Sequence, residues 1–410
     1  MKSKQLIMMV ALLVATLAGY LIFSPSDEPA SSENAGVGHE PLAALEIARI
    51  AAITLTTSQG KETTSLRMEK VGGKWVVAQR GGYPADTDRI EGLIKTLMAM
   101  KILRRVPAGK SQLGRLRLSE PGAGETAATR IEFFAADGKS MKIVHLGKEL
   151  SAPGGEGNTS AFGGGSNLPD RRFVMLDAKP ASAAVVDQTF SNASADATDW
   201  INRTDFFDVK NVLTLAVDYS GTEATNSWEL ARENTATNWT LAAAREGEAL
   251  DQNKLGSFGQ PLQSPTFNDV LTGDAANLST NATRITLGTE DHFTYILTLG
   301  DPNADGEFPV KLSVNADLPE KRVPAKDEKP EDKANLDTEW ENQQSELKTR
   351  LALHQTFSVE HWTFLVPGST LSGLLKKRTE LMGEKPPLGP VGPVPLLPIL
   401  PPSPPKQPEN

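Results

Sequence analysis

The chain contains no cysteine. That excludes a disulfide framework, a thiol nucleophile, cysteine-ligated zinc and iron–sulfur clusters. Histidine is scarce as well, with His39, His145, His292, His354 and His361 the complete set. None of them falls in the His-Glu-x-x-His spacing that holds a zinc ion on one helix face, so solvated or core-edge positions are expected for all five. There is no basic excess: 51 acidic against 42 basic residues leave a net charge of −9. A surface that tracks phosphates needs the opposite sign, so nucleic acid is not an expected partner. No Gly-x-Ser-x-Gly turn is present to present a serine nucleophile.

What is there begins with an address. Lys2 and Lys4 precede residues 6–23 (LIMMVALLVATLAGYLIF), 18 residues without a charge. As a helix this run reaches about 27 Å, close to the ~30 Å hydrocarbon core of a bilayer. The basic flank is expected to stay cytoplasmic, which exports everything beyond it. A cleaved signal peptide usually has a shorter apolar region, and Ser24-Pro25-Ser26 is a poor cleavage site. Residues 1–24 are therefore expected to be a retained single-span anchor in the cytoplasmic membrane, with the bulk of the chain extracytoplasmic. Residues 25–44, rich in Pro, Ser, Gly and acid, suit a flexible linker. Eleven of the 28 prolines lie between Pro386 and Pro408, and residues 384–410 are expected to form an extended, disordered tail because proline supplies no N–H to helix or sheet.

Between these ends the sequence reads as one α+β module used twice, residues 45–206 and 207–383. In the first, strand patterns at 52–57, 65–70 and 73–77 lead to Asp86 and the helix pattern TDRIEGLIKTLMAM (87–100). Ile90, Leu93, Ile94, Leu97 and Met98 recur there at spacings of three and four. Asp86 or Thr87 is the expected N-cap. Residues 129–134 and 141–146 flank Asp137-Gly138, a hairpin signal, and a strand follows at 172–176. The second half repeats the order. Strands at 212–219 and 227–231 lead to Trp239, then to Asp251 heading a weaker helical stretch. A hairpin follows at 283–287 and 294–299, with a strand at 361–366. That last strand comes 36 residues later than its counterpart, which marks residues 318–354 as a charged insertion with a polar helix over about 335–354. Helices are also expected at 181–190 and 371–382. Each module is thus expected to be an antiparallel sheet with one or two packed helices.

Motifs that carry chemistry are incomplete. Gly109-Lys110-Ser111 resembles the end of a phosphate-binding loop, but Arg104 stands where that loop needs glycine. The glycines of residues 151–167 lack a strand–loop–helix setting and read as linker. Asp301-Pro302-Asn303-Ala304-Asp305-Gly306 spaces oxygens as a calcium loop does, yet Leu312 occupies the position of the bidentate glutamate. A polar turn joining two strands is expected there. Trp75 and Trp239 sit at matching strand positions, as core packing requires. Trp340 is different: an aromatic on a polar helix is expected to meet a partner. No catalytic, cofactor-binding or metal-binding residue is expected, and Trp340 is the one candidate interaction residue.

The chain resembles the bacterial family catalogued as domain of unknown function 4340. The resemblance rests on the N-terminal anchor, Lys74-Trp75-Val76-Val77 followed by Tyr83-Pro84-Ala85-Asp86 and a helix, Leu146-Gly147, and Phe173-Val174-Met175-Leu176. The Trp200-to-Phe207 bridge and Phe364-Leu365-Val366-Pro367 fit too. The second module departs from the pattern, with Leu250-Asp251 in place of Ala-Asp and with Pro261 and Pro265 after it. The resemblance implies a membrane-tethered, extracytoplasmic protein associated with ATP-driven exporters or gliding-motility components, and it brings no catalytic residues. The expected function is a non-enzymatic accessory or scaffold of a membrane complex, with an exporter permease as partner. The alternative is a module that binds cell-envelope polysaccharide.

Overall fold

The computed structural model describes residues 37–150, 171–204, 206–279, 281–325, 328–358 and 362–383. The expected membrane span, most of the linker, the glycine-rich loop and the proline-rich tail lie outside these residues. Among the described residues no helix is long and apolar enough to cross a membrane. The chain divides into two compact units. One runs to Asp205 and takes in Asn268–Asp274; the other comprises Phe206–Phe267 and the chain from Ala275 onward.

The first unit contains β1 (Ile50–Gln59), β2 (Glu62–Val71), β3 (Lys74–Val77), β4 (Tyr83–Pro84), α1 (Thr87–Ala99), β5 (Ile102–Arg105), β6 (Thr129–Ala135), β7 (Ser140–Leu150), β8 (Arg171–Leu176) and β9 (Ala184–Val186). Its sheet order is β4-β3-β2-β1-β6-β7-β8-β9-β5, with antiparallel pairing throughout. The β6–β7 hairpin turns at Asp137-Gly138, where Gly138 takes φ +78°, a conformation glycine adopts without strain. Side chains alternate across the sheet. Ile53, Leu55, Leu66, Met68, Ile131 and Phe133 are fully buried, whereas Thr54, Thr56, Arg67 and Arg130 stay partly exposed. α1 buries Ile90, Leu93, Ile94 and Leu97, and the Asp86 side chain caps it by accepting from the Arg89 backbone N–H at 2.9 Å. The same unit holds the short strand carried by Asn268–Asp274, numbered β13 (Asp269–Leu271) after the three strands that precede it in the chain. Asp269 takes both arms of the Arg80 guanidinium, at 2.5 and 2.9 Å.

The second unit contains β10 (Val212–Asp218), β11 (Trp228–Ala231), β12 (Thr240–Leu241), β14 (Thr283–Thr289), β15 (Phe293–Leu299), β16 (Glu307–Ala316), α2 (Lys333–Phe357), β17 (Thr363–Pro367) and a single helical turn, α3 (Gly368–Leu371). Its strands run β12-β11-β10-β14-β15-β16-β17, each neighbouring pair antiparallel. In β15, residues alternate strictly between buried and partly exposed. Residues 301–306 form a polar turn between β15 and β16, where Asn303 Oδ1 accepts from the backbone N–H groups of Asp305 and Glu307 at 3.0 and 2.9 Å.

Three expectations are corrected. Residues 181–190 do not form a helix. Pro180–Ser182 make one 3-10 turn, and Ala184–Val186 then enter the sheet, where β-branched Val185 and Val186 pair with β8 and β5 and all three residues are buried. Residues 371–382 do not continue as a helix beyond the turn at Leu371. The Lys376 carbonyl instead accepts from Trp228 Nε1 at 2.7 Å and from the Tyr219 hydroxyl at 3.3 Å, so it is committed to side chains and not to an i+4 amide. The chain then places Arg378 against Glu248, at 2.9 and 2.7 Å, and against the Ala243 carbonyl at 2.9 Å; that pairing holds the Glu248 carboxyl down at about 2. Finally, the strand beside β15 is β16 and not residues 361–366. Residues 363–366 lie in β17, the next strand out, and α2 is inserted in the connection between β16 and β17, which still pair side by side.

Gly147 on β7 stands where a side chain cannot. A methyl group there would run into the Leu116 carbonyl oxygen and lie 2.8 Å from Leu118 Cδ2. Gly147→Ala should destabilise the protein by about 1–3 kcal/mol through overpacking. Gly92→Ala, in α1 with nothing within 4 Å of its added methyl, should stabilise by about 0.5–1 kcal/mol. Denaturant midpoints of the two variants, read against the native chain, check both signs.

Candidate functional site

A set of five titratable groups, of which Tyr295 and His354 are buried, lies where α2 meets β15 in the second unit. The alternation of β15 turns Phe293 and Tyr295 inward, at 1% and 2% exposure. On α2 the sequence is polar, yet Asp337, Trp340, Gln344, Leu347, Leu351, His354 and Phe357 recur at spacings of three and four and are its less exposed residues. From Arg350 onward this stripe faces the sheet. His354 is 3% exposed, and its Nδ1 lies 2.9 Å from the Tyr295 hydroxyl. Its Nε2 faces Asp208 Oδ1 at 3.9 Å, and Asp208 is itself ion-paired with Lys210. One turn earlier, Arg350 pairs with Asp291, and its guanidinium sits 4.4 Å from the Phe293 ring centre. The Thr289 hydroxyl donates to Asp291, fixing that carboxylate at the mouth of the β14–β15 turn.

Below His354 the helix ends in apolar contacts. Phe357 meets Phe206 at 5.3 Å and Phe364 at 6.4 Å, and Phe206 also packs on Phe207 and Phe267 at 4.6 and 4.7 Å. Ser358 accepts the Val314 backbone N–H at 3.1 Å, tying the end of α2 to β16. Burial pushes the His354 pKa below its usual value; Asp208 and Asp291 oppose that shift, and Arg350 adds to it. Burial likewise raises the Tyr295 phenol. Tyr295 therefore stays protonated and His354 neutral at pH 7. Tyr295 and His354 share one hydrogen bond, Asp208 stands beyond hydrogen-bond distance of Nε2, and both inner groups are buried.

A second buried histidine lies in the first unit. His145 on β7 is fully buried, and neither of its ring nitrogens makes a protein hydrogen bond. Its Nε2 lies 3.3 Å from Glu120 Oε2, and across the strand pair Arg130 Nη1 holds Glu132 at 2.6 Å. Burial lowers the His145 pKa, with Glu120 opposing. Among the described residues no group of three or more His, Asp or Glu is arranged to hold a metal ion.

The structure thus takes His145 and His354 out of the solvated or edge positions expected from sequence. Trp340 lies on the inner stripe of α2 and is half-buried. It is not brought together with the histidine cluster, which lies more than three turns further along the helix. Tyr295, Asp208 and Arg350 carried no sequence motif. The usable signals were the strict alternation of Phe293, Tyr295, Leu297 and Leu299, and the i, i+4 spacing of Arg350 and His354 on one helix face.

Residues 75–304 match the family described as Domain of unknown function (DUF4340). The chain belongs to this family. No curated protein and no solved structure matches it.

Removal of the Tyr295 hydroxyl leaves His354 Nδ1 buried without its partner. Tyr295→Phe should cost about 1–2 kcal/mol. The coupling between Tyr295→Phe and His354→Leu in a double-mutant cycle should be about 1 kcal/mol. Urea unfolding of the four proteins measures it, and additive single-mutant costs would show that the contact contributes nothing.

Proposed function

We propose that the chain is a non-enzymatic, membrane-anchored accessory protein of the cytoplasmic membrane. Its folded units lie on the extracytoplasmic side and hold part of a membrane complex, an ATP-driven exporter being the partner class. The observation that carries this reading is α2. Twenty-five residues long, it extends about 37 Å, yet only Gln344, His354 and Phe357 of it are buried. A helix that exposes most of its length offers another protein a long polar face on which to dock, and nothing in the core requires so much of it. The uncharged run at residues 6–23 supplies the tether.

We also propose that the two units descend from one duplicated module. The order β3-β2-β1-β6-β7-β8-β9 of the first sheet runs parallel to β12-β11-β10-β14-β15-β16-β17 of the second. β1 and β10 each carry a register shift at their first residues, between Ile50 and Ala52 and between Val212 and Thr214. A cation covers the equivalent tryptophan in both: Lys70 over Trp75 at 5.0 Å and Arg232 over Trp239 at 4.5 Å. The residue before each capping aspartate makes the same isolated bridge, Ala85 with Ile201 and Leu250 with Met382. The correspondence sets β16 against β8 and β17 against β9. α2 then takes the place of the short turn between β8 and β9 and is the second copy's addition.

Detergent-solubilised pull-down from native membranes tests the function. The full chain should recover a permease or ATPase. Glu339→Lys with Glu346→Lys, two exposed positions on α2, should reduce recovery about tenfold with unchanged thermal stability. Recovery of the chain alone, or binding only to purified envelope polysaccharide, overturns the reading. Deletion of residues 1–24 should move the protein from the pelleted membrane fraction to the supernatant.

A further inference from the structure

The docking of α2 depends on a group that can change its charge. His354 is the only histidine on the helix, and it sits inside the contact, not on its rim. Its Nδ1 meets the Tyr295 hydroxyl of β15 at 2.9 Å. Asp208, on the segment leading into β10, faces Nε2 at 3.9 Å and is shared with Lys210. From the β14–β15 turn Asp291 faces the same corner, and Arg350 of α2 neutralises it. Phe293 closes the remaining side, its ring centre 6.4 Å from that of the imidazole.

We propose that α2 is a proton-operated arm: uptake of a proton at His354 releases the C-terminal half of the helix from β15 and β16. The docked site has no free carboxylate to receive an imidazolium. Asp208 stands beyond hydrogen-bond distance and already serves Lys210, Asp291 already serves Arg350, and Tyr295 offers a neutral oxygen. A charge placed there is buried without full compensation, whereas the same charge on a released helix is hydrated. The released state therefore binds more protons than the docked one below the ordinary histidine value of about 6.5. Docking is undiminished above that pH and weakens as pH falls through it. The break is confined to α2, because the rest of the second sheet is held by its own strand pairing.

Arg350 is what makes this a switch and not a static ion pair. By pairing with Asp291 it weakens a carboxylate on the β14–β15 turn that would otherwise stabilise a charged His354 more strongly. A shallow cleft lined by Asn211, Glu290, Asp291, Glu346 and Arg350 opens beside the pair and gives solvent a way to the edge of the clamp. The inference rests on the docked geometry and does not need α2 to bind a partner.

Hydrogen exchange of the full chain at pH 7.5 and 5.5, each rate divided by the intrinsic chemical rate at that pH, tests it without any partner present. Protection of peptides within residues 345–357 should fall about tenfold over this interval. α1, whose buried residues are all aliphatic, should keep its protection. His354→Gln retains a hydrogen-bonding side chain and cannot become charged, so its protection should be the same at both pH values. Unchanged protection in the native chain overturns the proposal, as does an equal fall in His354→Gln. Should that variant not fold, Asp208→Asn decides instead. With the carboxylate facing Nε2 removed, a charged His354 is compensated less still in the docked state. Release should then move to higher pH, and an unmoved or lowered midpoint would rule His354 out.

Discussion

Both units rest on one constraint, the one-sided burial of an antiparallel sheet. Alternation sends every second side chain to the same face, so each sheet is apolar on one side only, and that side must be covered. In the first unit the cover is α1, thirteen residues with four buried aliphatic side chains and a capping aspartate. In the second unit the matching segment, Gln252–Gly259, is a 3-10 stretch that buries only Leu255 and Phe258. A 3-10 helix eclipses side chains three apart and is rarely long, so it cannot cover as much of a sheet. The deficit is met by the aromatic cluster of Phe206, Phe207, Phe267 and Phe364 and by the end of α2, which contributes Phe357.

From this follows the placement of His354. Phe357 must reach the aromatic cluster, and the residue one turn earlier on the same stripe must then lie over Tyr295. An aliphatic residue at 354 would have filled the position more simply and left Tyr295 to find another acceptor. A histidine there trades some of the transfer free energy of an apolar side chain, about 1.5–3 kcal/mol for a leucine, for one hydrogen bond worth about 1 kcal/mol. The contact is thus built below the stability its geometry allows. Its apolar part holds the helix end, and its polar part makes the hold conditional.

How far this was legible in the sequence differs by element, and the difference is physical. α1 is legible because its stripe is purely aliphatic and opens on Asp86. The two hairpins are legible because their strands alternate, the first around Asp137-Gly138 as well. α2 is legible as a helix but not as a docked one. Its inner stripe mixes Asp337, Trp340, Gln344, Leu347, Leu351, His354 and Phe357, so no apolar period distinguishes it from the outer face. Residues 181–190 and 371–382 mislead for the opposite reason: alanine and leucine favour a helix locally, while sheet pairing of Val185 and Val186, and the Lys376 carbonyl's two side-chain donors, override that preference. The histidine cluster is assembled from residues 208, 291, 295, 350 and 354, brought together by the sheet and the insertion, and no short motif encodes it.

The position of the insertion matters more than its sequence. A long element added at a chain end could be lost without touching any strand connection. Here α2 enters between β16 and β17, neighbouring strands that pair from Glu307–Pro367 to Val310–Phe364. Its C-terminal end is therefore fixed twice, by β17 following within a few residues and by Ser358 on β16, whereas its N-terminal end leaves β16 through a polar stretch held by Arg322 to Glu328 and Asp337. The proposed release of the C-terminal half of α2 at His354 therefore works against the Ser358 tie, while β17 still holds the chain beyond it. His354 lies three residues from the end of α2. On the proposed release, a single buried imidazole three residues from the helix end is set against a helix about 37 Å long, and the apolar contacts of Phe357 beside it are what that one charge has to overcome.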